Sequence, residues 1–191
     1  MNEKEKRIFT LSNIEIRAGT EGSSQVIEGY ASIFDSPTMI GDMFQETIAK
    51  GAFAKSLMEK ADVRALFNHN WDYVLGRTKS GTLTLEEDEK GLKFRVTPPD
   101  TIWAKDLMIS MQRGDINQCS FGFQVVRDSW NWDVEPAQRK IQEVKLYEIS
   151  IVSLPAYEDT EAYVRDRFTE QRELHYERQK LIKRIEEALK R

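Results

Sequence analysis

Residues 117 to 126 read NQCSFGFQVV, an aromatic and β-branched run without proline, which predicts a strand. Counted by twos, Cys119, Phe121, Phe123 and Val125 share one face, and Ser120, Gly122, Gln124 and Val126 share the other. The first set is a core face. The second carries a hydroxyl beside a glycine, and so with open space expected around it.

Working outward, KIQEVKLYEISIVSLPA (140 to 156) reads as a second long strand that Pro155 stops. VIEGYASIF (26 to 34) and DVRALFNHNW (62 to 71) are also strand-like, as is a patch from Ile8 to Ile16 before a Gly/Ser turn at Gly19 to Ser24. TLTLEEDEKGLKFRV (82 to 96) predicts a hairpin with a charged, Gly-containing turn. Two stretches predict helices. In ETIAKGAFAKSLMEK (46 to 60), Ala49, Phe53 and Leu57 recur every four residues, although Gly51 weakens the pattern. In PPDTIWAKDLMISMQRG (98 to 114), Ala104, Leu107, Met108 and Met111 make an apolar stripe that Gly114 ends.

Many short strands with two inserted helices do not alternate as a parallel sheet requires. The expected class is α+β: a mainly antiparallel β-barrel with surrounding helices, plus a charged C-terminal helix. Three parts are expected: an N-terminal segment (1 to 25), a main domain (26 to 162) and an amphipathic helical tail (163 to 191).

The 191 residues can bury a core without staples, and 31% charged content suits a globular chain with a charged tail. One cysteine, Cys119, excludes an internal disulfide and any zinc site built from several thiolates. The two histidines, His69 and His175, are remote from each other in the sequence and offer no ligand cluster, so neither metal nor cofactor is expected. Net charge is −4, giving no general attraction to nucleic acid. No apolar run approaches the roughly 20 residues a membrane span needs, and the start, MNEKEKRIFT, lacks a signal peptide's apolar region.

Three polar residues fall in strand-like apolar settings. Ser120 is a potential nucleophile. His69 is in phase with Val63, Ala65 and Phe67, and histidine best takes and returns a proton near neutral pH. Glu148 shares parity with Val144, Leu146, Ser150 and Val152, where a carboxylate is costly unless paired; the opposite parity, with Tyr147, Ile149 and Ile151 buried, would turn it to solvent. A hydroxyl, a base and a carboxylate that orients the base make a serine-hydrolase relay, recognised by geometry and not by chain order. Cys119 is the rival nucleophile, but its phenylalanine-lined face would bury it. The G-x-S-x-G elbow of the common hydrolase fold is absent, since Gln118 stands two residues before Ser120.

Five blocks occur in order: EGYASIFD, ETIAKGAFAKSL, LFNHN followed by LGR, CSFGF, and YEISIVSLPAYEDTEA. Together they resemble the prohead protease family of tailed phages, related in fold to the herpesvirus assemblin proteases. The family's serine block matches Ser120, Phe121, Gly122 and Phe123; its histidine block matches Asn68, His69 and Asn70; its acidic block matches Glu148, Ser150, Val152, Pro155 and Ala156. His175 lies beyond the matching region. The resemblance implies a serine endopeptidase with Ser120, His69 and Glu148 as catalytic residues. It implies a protein made in the host cytoplasm and packaged in the immature capsid, which cleaves the scaffolding segment of the major capsid protein and then itself. A homodimer is a further implication. The alternative is a non-catalytic capsid- or scaffold-binding protein on the same barrel.

The tail, from Thr160 on, carries a net charge of +2, leaving −6 for the rest. Leu174, Leu181 and Ala188 recur every seven residues beside Ile182, Ile185 and Leu189, a stripe suited to packing on its own domain or on a helical partner.

Overall fold

The computed structural model describes residues 5–10, 15–17, 25–153 and 158–189. Its strands are β1 (Glu5–Thr10), β2 (Glu15–Arg17), β3 (Val26–Ile33), β4 (Thr38–Ile40), β5 (Phe44–Ile48), β6 (Arg64–Phe67), β7 (Asn70–Arg77), β8 (Leu83–Glu87), β9 (Gly91–Val96), β10 (Gln118–Asn131) and β11 (Ala137–Val152). Its helices are α1 (Ala54–Met58), α2 (Ile102–Gln112) and α3 (Glu158–Leu189).

The quoted stretch begins β10, the longest strand but one. It pairs antiparallel with β11 on one side and with β1 on the other. β11 then pairs parallel with β5 along its first part and with β6 along its last part. β4 and β7 complete this seven-stranded sheet, and β2, β3, β9 and β8 make a four-stranded one.

The α+β class holds. The barrel expectation does not carry over: the described strands pair as two open sheets, and neither closes on itself. The two parallel pairings of β11 were not anticipated either. Antiparallel and parallel neighbours need the same apolar strand faces, so the composition of a strand does not report its partner's direction.

The core lies between the sheets. β10 contributes Cys119, Phe121, Phe123 and Val125; β3, β8 and β9 contribute Ile27, Leu83, Phe94 and Val96. Phe121 and Phe123 stack at 4.7 Å, and Phe53 meets Phe121 edge-on at 5.4 Å. Each such fully buried side chain contributes about 1.5–3 kcal/mol. The expected stripe of α2 closes one flank, with Ala104, Leu107, Met108 and Met111 all buried, and Gly114 past its end takes φ +82°.

The stretch from 46 to 60 is a correction. Its first residues belong to β5, and only Ala54–Met58 are helical. The physical reason is Glu46. Phe44, Glu46 and Ile48 are buried at a period of two, and Glu46 is inside because two arginines neutralise it. A glutamate in the strand pattern hid that period. The hairpin at 82 to 96 is as expected, its turn closed by Asp88, which accepts from the backbone N–H of Lys90 and Gly91.

From the N-terminal segment, β1 joins the larger sheet and β2 the smaller. The Gly/Ser turn at Gly19 to Ser24, Pro155 and Ala156 lie outside the described residues.

Candidate active site

The site lies on the face of the large sheet turned away from the core. Two departures from regular strand geometry build it.

The first is a bulge in β11. Phe123 is opposite Leu146 and Gly122 is opposite Glu148, so Tyr147 is an extra residue. The bulge switches the parity of β11. Before it, Val144 and Leu146 face the core; after it, Ile149 and Ile151 do. Glu148 and Ser150 therefore leave the core face, yet both stay buried. Neither parity read along the whole strand was right, because the strand changes parity one residue before the carboxylate.

The second departure is the β6–β7 turn. β6 ends at Phe67, and Asn68 and His69 take φ +52° and +56°. His69 was expected to continue the apolar face of Val63, Ala65 and Phe67. Two left-handed residues interrupt that period, and the ring reaches Glu148 instead. This conformation is costly for residues with a Cβ, least so for Asn, Asp and His. Local bonds compensate. Asn68 donates its backbone N–H to Ile151 O, and its side chain joins the Ser153 backbone and hydroxyl. The His69 N–H donates to Ser150 Oγ at 3.2 Å.

His69 Nδ1 lies 2.7 Å from Glu148 Oε1, and both side chains are over nine-tenths buried. A carboxylate only accepts, so in the neutral ring Nδ1 carries the proton and Nε2 keeps its lone pair. The second carboxylate oxygen accepts the Ser150 hydroxyl at 2.6 Å. Ser150 thus ties the His69 backbone to the Glu148 side chain. In the sequence Ser150 stands within the acidic block, with no signal that marks this role.

Gly122 stands directly across from Glu148. A Cβ there would come within 2.3 Å of Glu148 Oε1. The space beside this glycine was expected to surround the serine hydroxyl; it is filled by the carboxylate.

Ser120 is the register partner of Ser150, on the same pair of strands as Gly122 and Glu148. Its hydroxyl donates to the backbone carbonyl of Arg7 on β1, at 2.9 Å, and the residue is fully buried. His69 Nε2 is buried and makes no hydrogen bond. The structure therefore joins the histidine and the carboxylate, places the serine on the neighbouring strand, and engages its hydroxyl elsewhere.

Cys119 is fully buried on the core face. Burial pushes its thiol pKa far up, and the negative charge of Glu148 adds to the shift. That is the environment of an inert thiol and not of a nucleophile. His175 lies on α3 with its ring 5.7 Å from that of Trp132, remote in topology from His69. Among the described residues no group of three or more His, Cys, Asp or Glu side chains could hold a metal. No described helix is long and apolar enough to cross a membrane.

Residues 12–174 match the family model described as caudovirus prohead serine protease, so the chain belongs to that family. It is similar to the prohead protease of Enterobacteria phage HK97, at 34% identity over 157 residues, which is 80% of this chain and 65% of the length of that protein. Its fold is that of the bacteriophage T4 capsid assembly protease, with a TM-score of 0.55 at 14% identity over 81% of this chain and all of the T4 chain.

Proposed function

We propose that the chain is a serine endopeptidase of phage capsid maturation, with Ser120 as nucleophile, His69 as general base and Glu148 as the group that orients the base. The observation that carries this reading is the buried 2.7 Å contact between His69 Nδ1 in the β6–β7 turn and Glu148 on β11, the strand paired with the one that bears Ser120. A buried carboxylate bonded to one imidazole nitrogen leaves the other basic and steadies the ring when it gains a proton.

In the reaction, Ser120 Oγ attacks a peptide carbonyl as Nε2 of His69 takes the hydroxyl proton. The same proton passes to the leaving amine, and an acyl-enzyme remains. Water, deprotonated by His69, then releases the acid and restores the serine. The Ser120–Arg7 hydrogen bond must break first, because the hydroxyl has one proton and it is committed.

The family and the names of the similar proteins support a capsid protein as substrate. The finer reading is that the substrate is the scaffolding segment of the major capsid protein, that the enzyme acts inside the prohead and cleaves itself there, and that it works as a homodimer. The chain divides, in this proposal, into a protease unit at 26–162, an N-terminal segment and a docking tail at 163–191.

Co-expression with a capsid protein that carries its scaffolding segment tests the reading. Ser120→Ala should abolish cleavage and leave the circular dichroism spectrum unchanged, while Cys119→Ala should still cleave. Cleavage by Ser120→Ala, with loss in Cys119→Ala, would move the nucleophile to the thiol.

A further inference from the structure

Strand β10 has β11 on one side and only β1 on the other. Remove β1, and β10 becomes an edge strand whose open main-chain groups run past Ser120. Such an edge is a template for an extended peptide. We propose that this edge is the docking site for an extended substrate segment and that β1 is its resident occupant, so that strand exchange exposes the nucleophile. The inference rests on the reading of Ser120 given above.

Three observations support it. β1 runs antiparallel to β10 with Ile8 opposite Ser120, a strand's pairing at the reacting residue. The Arg7 carbonyl accepts the Ser120 hydroxyl, so a peptide carbonyl already occupies the position beside the nucleophile. The hydroxyl is buried, so no substrate reaches it while β1 is seated.

A buried ion cluster holds β1 in place. Arg7 bonds Glu46 through Nε at 2.5 Å and through Nη2 at 3.0 Å, and bonds Glu5 at 2.6 Å. Arg139 Nη1 bonds Glu5 at 3.1 Å and Glu46 at 3.0 Å, while its Nε bonds Asp128 at 2.7 Å. β1 contributes one acid and one base to this cluster. Its departure removes a matched pair of charges and leaves Arg139 between Glu46 and Asp128. The cluster therefore latches β1 without making the rest of the sheet depend on it.

The experiment compares three forms by the rate at which a fluorophosphonate labels the protein, with the labelled residue located by mass spectrometry. These are the full chain, a chain lacking residues 1–10, and full-length Phe9→Cys. Phe9 is the register partner of Cys119, and paired residues sit about 4.5–5.5 Å apart, within disulfide reach. Oxidised Phe9→Cys should not label, and reductant should restore labelling to the rate of the full chain. The truncated chain should label Ser120 at least about tenfold faster, because the local opening step is gone. Equal Ser120 labelling in all three forms, or no labelling of the truncated chain, would overturn the strand-exchange inference. Labelling at a residue other than Ser120 would instead overturn the assignment of the nucleophile.

Discussion

A Cβ on Gly122 and the carboxylate of Glu148 compete for one volume, which makes this glycine part of the site although it carries no functional group. Gly122→Ala should therefore push Glu148 away from His69. Overpacking of this kind costs about 1–3 kcal/mol of stability. The loss of activity should be larger in proportion, on the order of a hundredfold in kcat/KM, since a misplacement of about 1 Å can cost that much. Denaturant unfolding and peptide cleavage on the same samples check both numbers. A fall in stability with undiminished kcat/KM would mean that the carboxylate finds its place in spite of the methyl. The residue types of the proposed site were legible in the sequence: serine, histidine and carboxylate each stood out in a strand-like apolar setting. What Gly122 makes room for was not legible, because the neighbour across the sheet lies 26 positions away in the chain.

Among the secondary elements, one contact braces the His69 turn and another packs α3 onto the sheet. Arg77 on β7 forms a fork with Asp62, with Nε and Nη2 at 2.7 and 2.6 Å, and this ties the start of β6 to the end of β7 around the His69 turn. The Arg77 hydrogen bond holds the Asp62 pKa below its ordinary 3.8. A carboxylate whose pKa is depressed on folding adds stability above its unfolded pKa and loses it as pH falls through the lower folded value. Asp62→Asn should thus flatten part of the acid limb below about pH 4, read as the unfolding midpoint against pH, with little change at lower pH, where Asp62 is already protonated. At the other end of the sheet, Phe168 of α3 stacks on Phe44 at 5.3 Å and lies 5.8 and 5.5 Å from Trp130 and Trp132. Phe168→Ala should cost roughly 2 kcal/mol, less than the about 3–5 of a fully buried ring because Phe168 is half-buried. It should also speed limited proteolysis within α3. Further along, Leu174, Leu181, Ile182, Ile185 and Leu189 are exposed, so the tail's apolar stripe is not consumed by packing on its own domain.

For the molecule as a whole, the buried ions are the largest departure from an apolar interior. Glu5, Arg7, Glu46 and Arg139 come from β1, β5 and β11, and with Asp128 of β10 they tie four strands of one sheet together. Burial works against both guanidinium charges, but Glu46 and Glu5 hold the pKa of each arginine above its ordinary value. Breaking such a cluster from one side strands the remaining charges. Arg139→Met should cost about 3–5 kcal/mol, seen as a lower urea midpoint. The double variant Arg139→Met with Glu46→Leu should be less damaging than the sum of the two single changes, since it removes opposite charges together. Additive losses would show that the two residues do not interact as the distances require.

The sequence by itself determined the apolar face of β10, the α2 stripe and the β8–β9 hairpin, and it singled out the three candidate site residues, because each signal is encoded by neighbours within a few positions. Only the tertiary structure decided that β5 is a strand with a buried glutamate, that the Tyr147 bulge turns Glu148 out of the core, and that His69 leaves its strand's phase through two left-handed residues. It also decided that β1 covers the serine. Periodicity reports the face a side chain takes only while the strand stays regular, and a buried charge is stable only when a partner from elsewhere in the chain meets it.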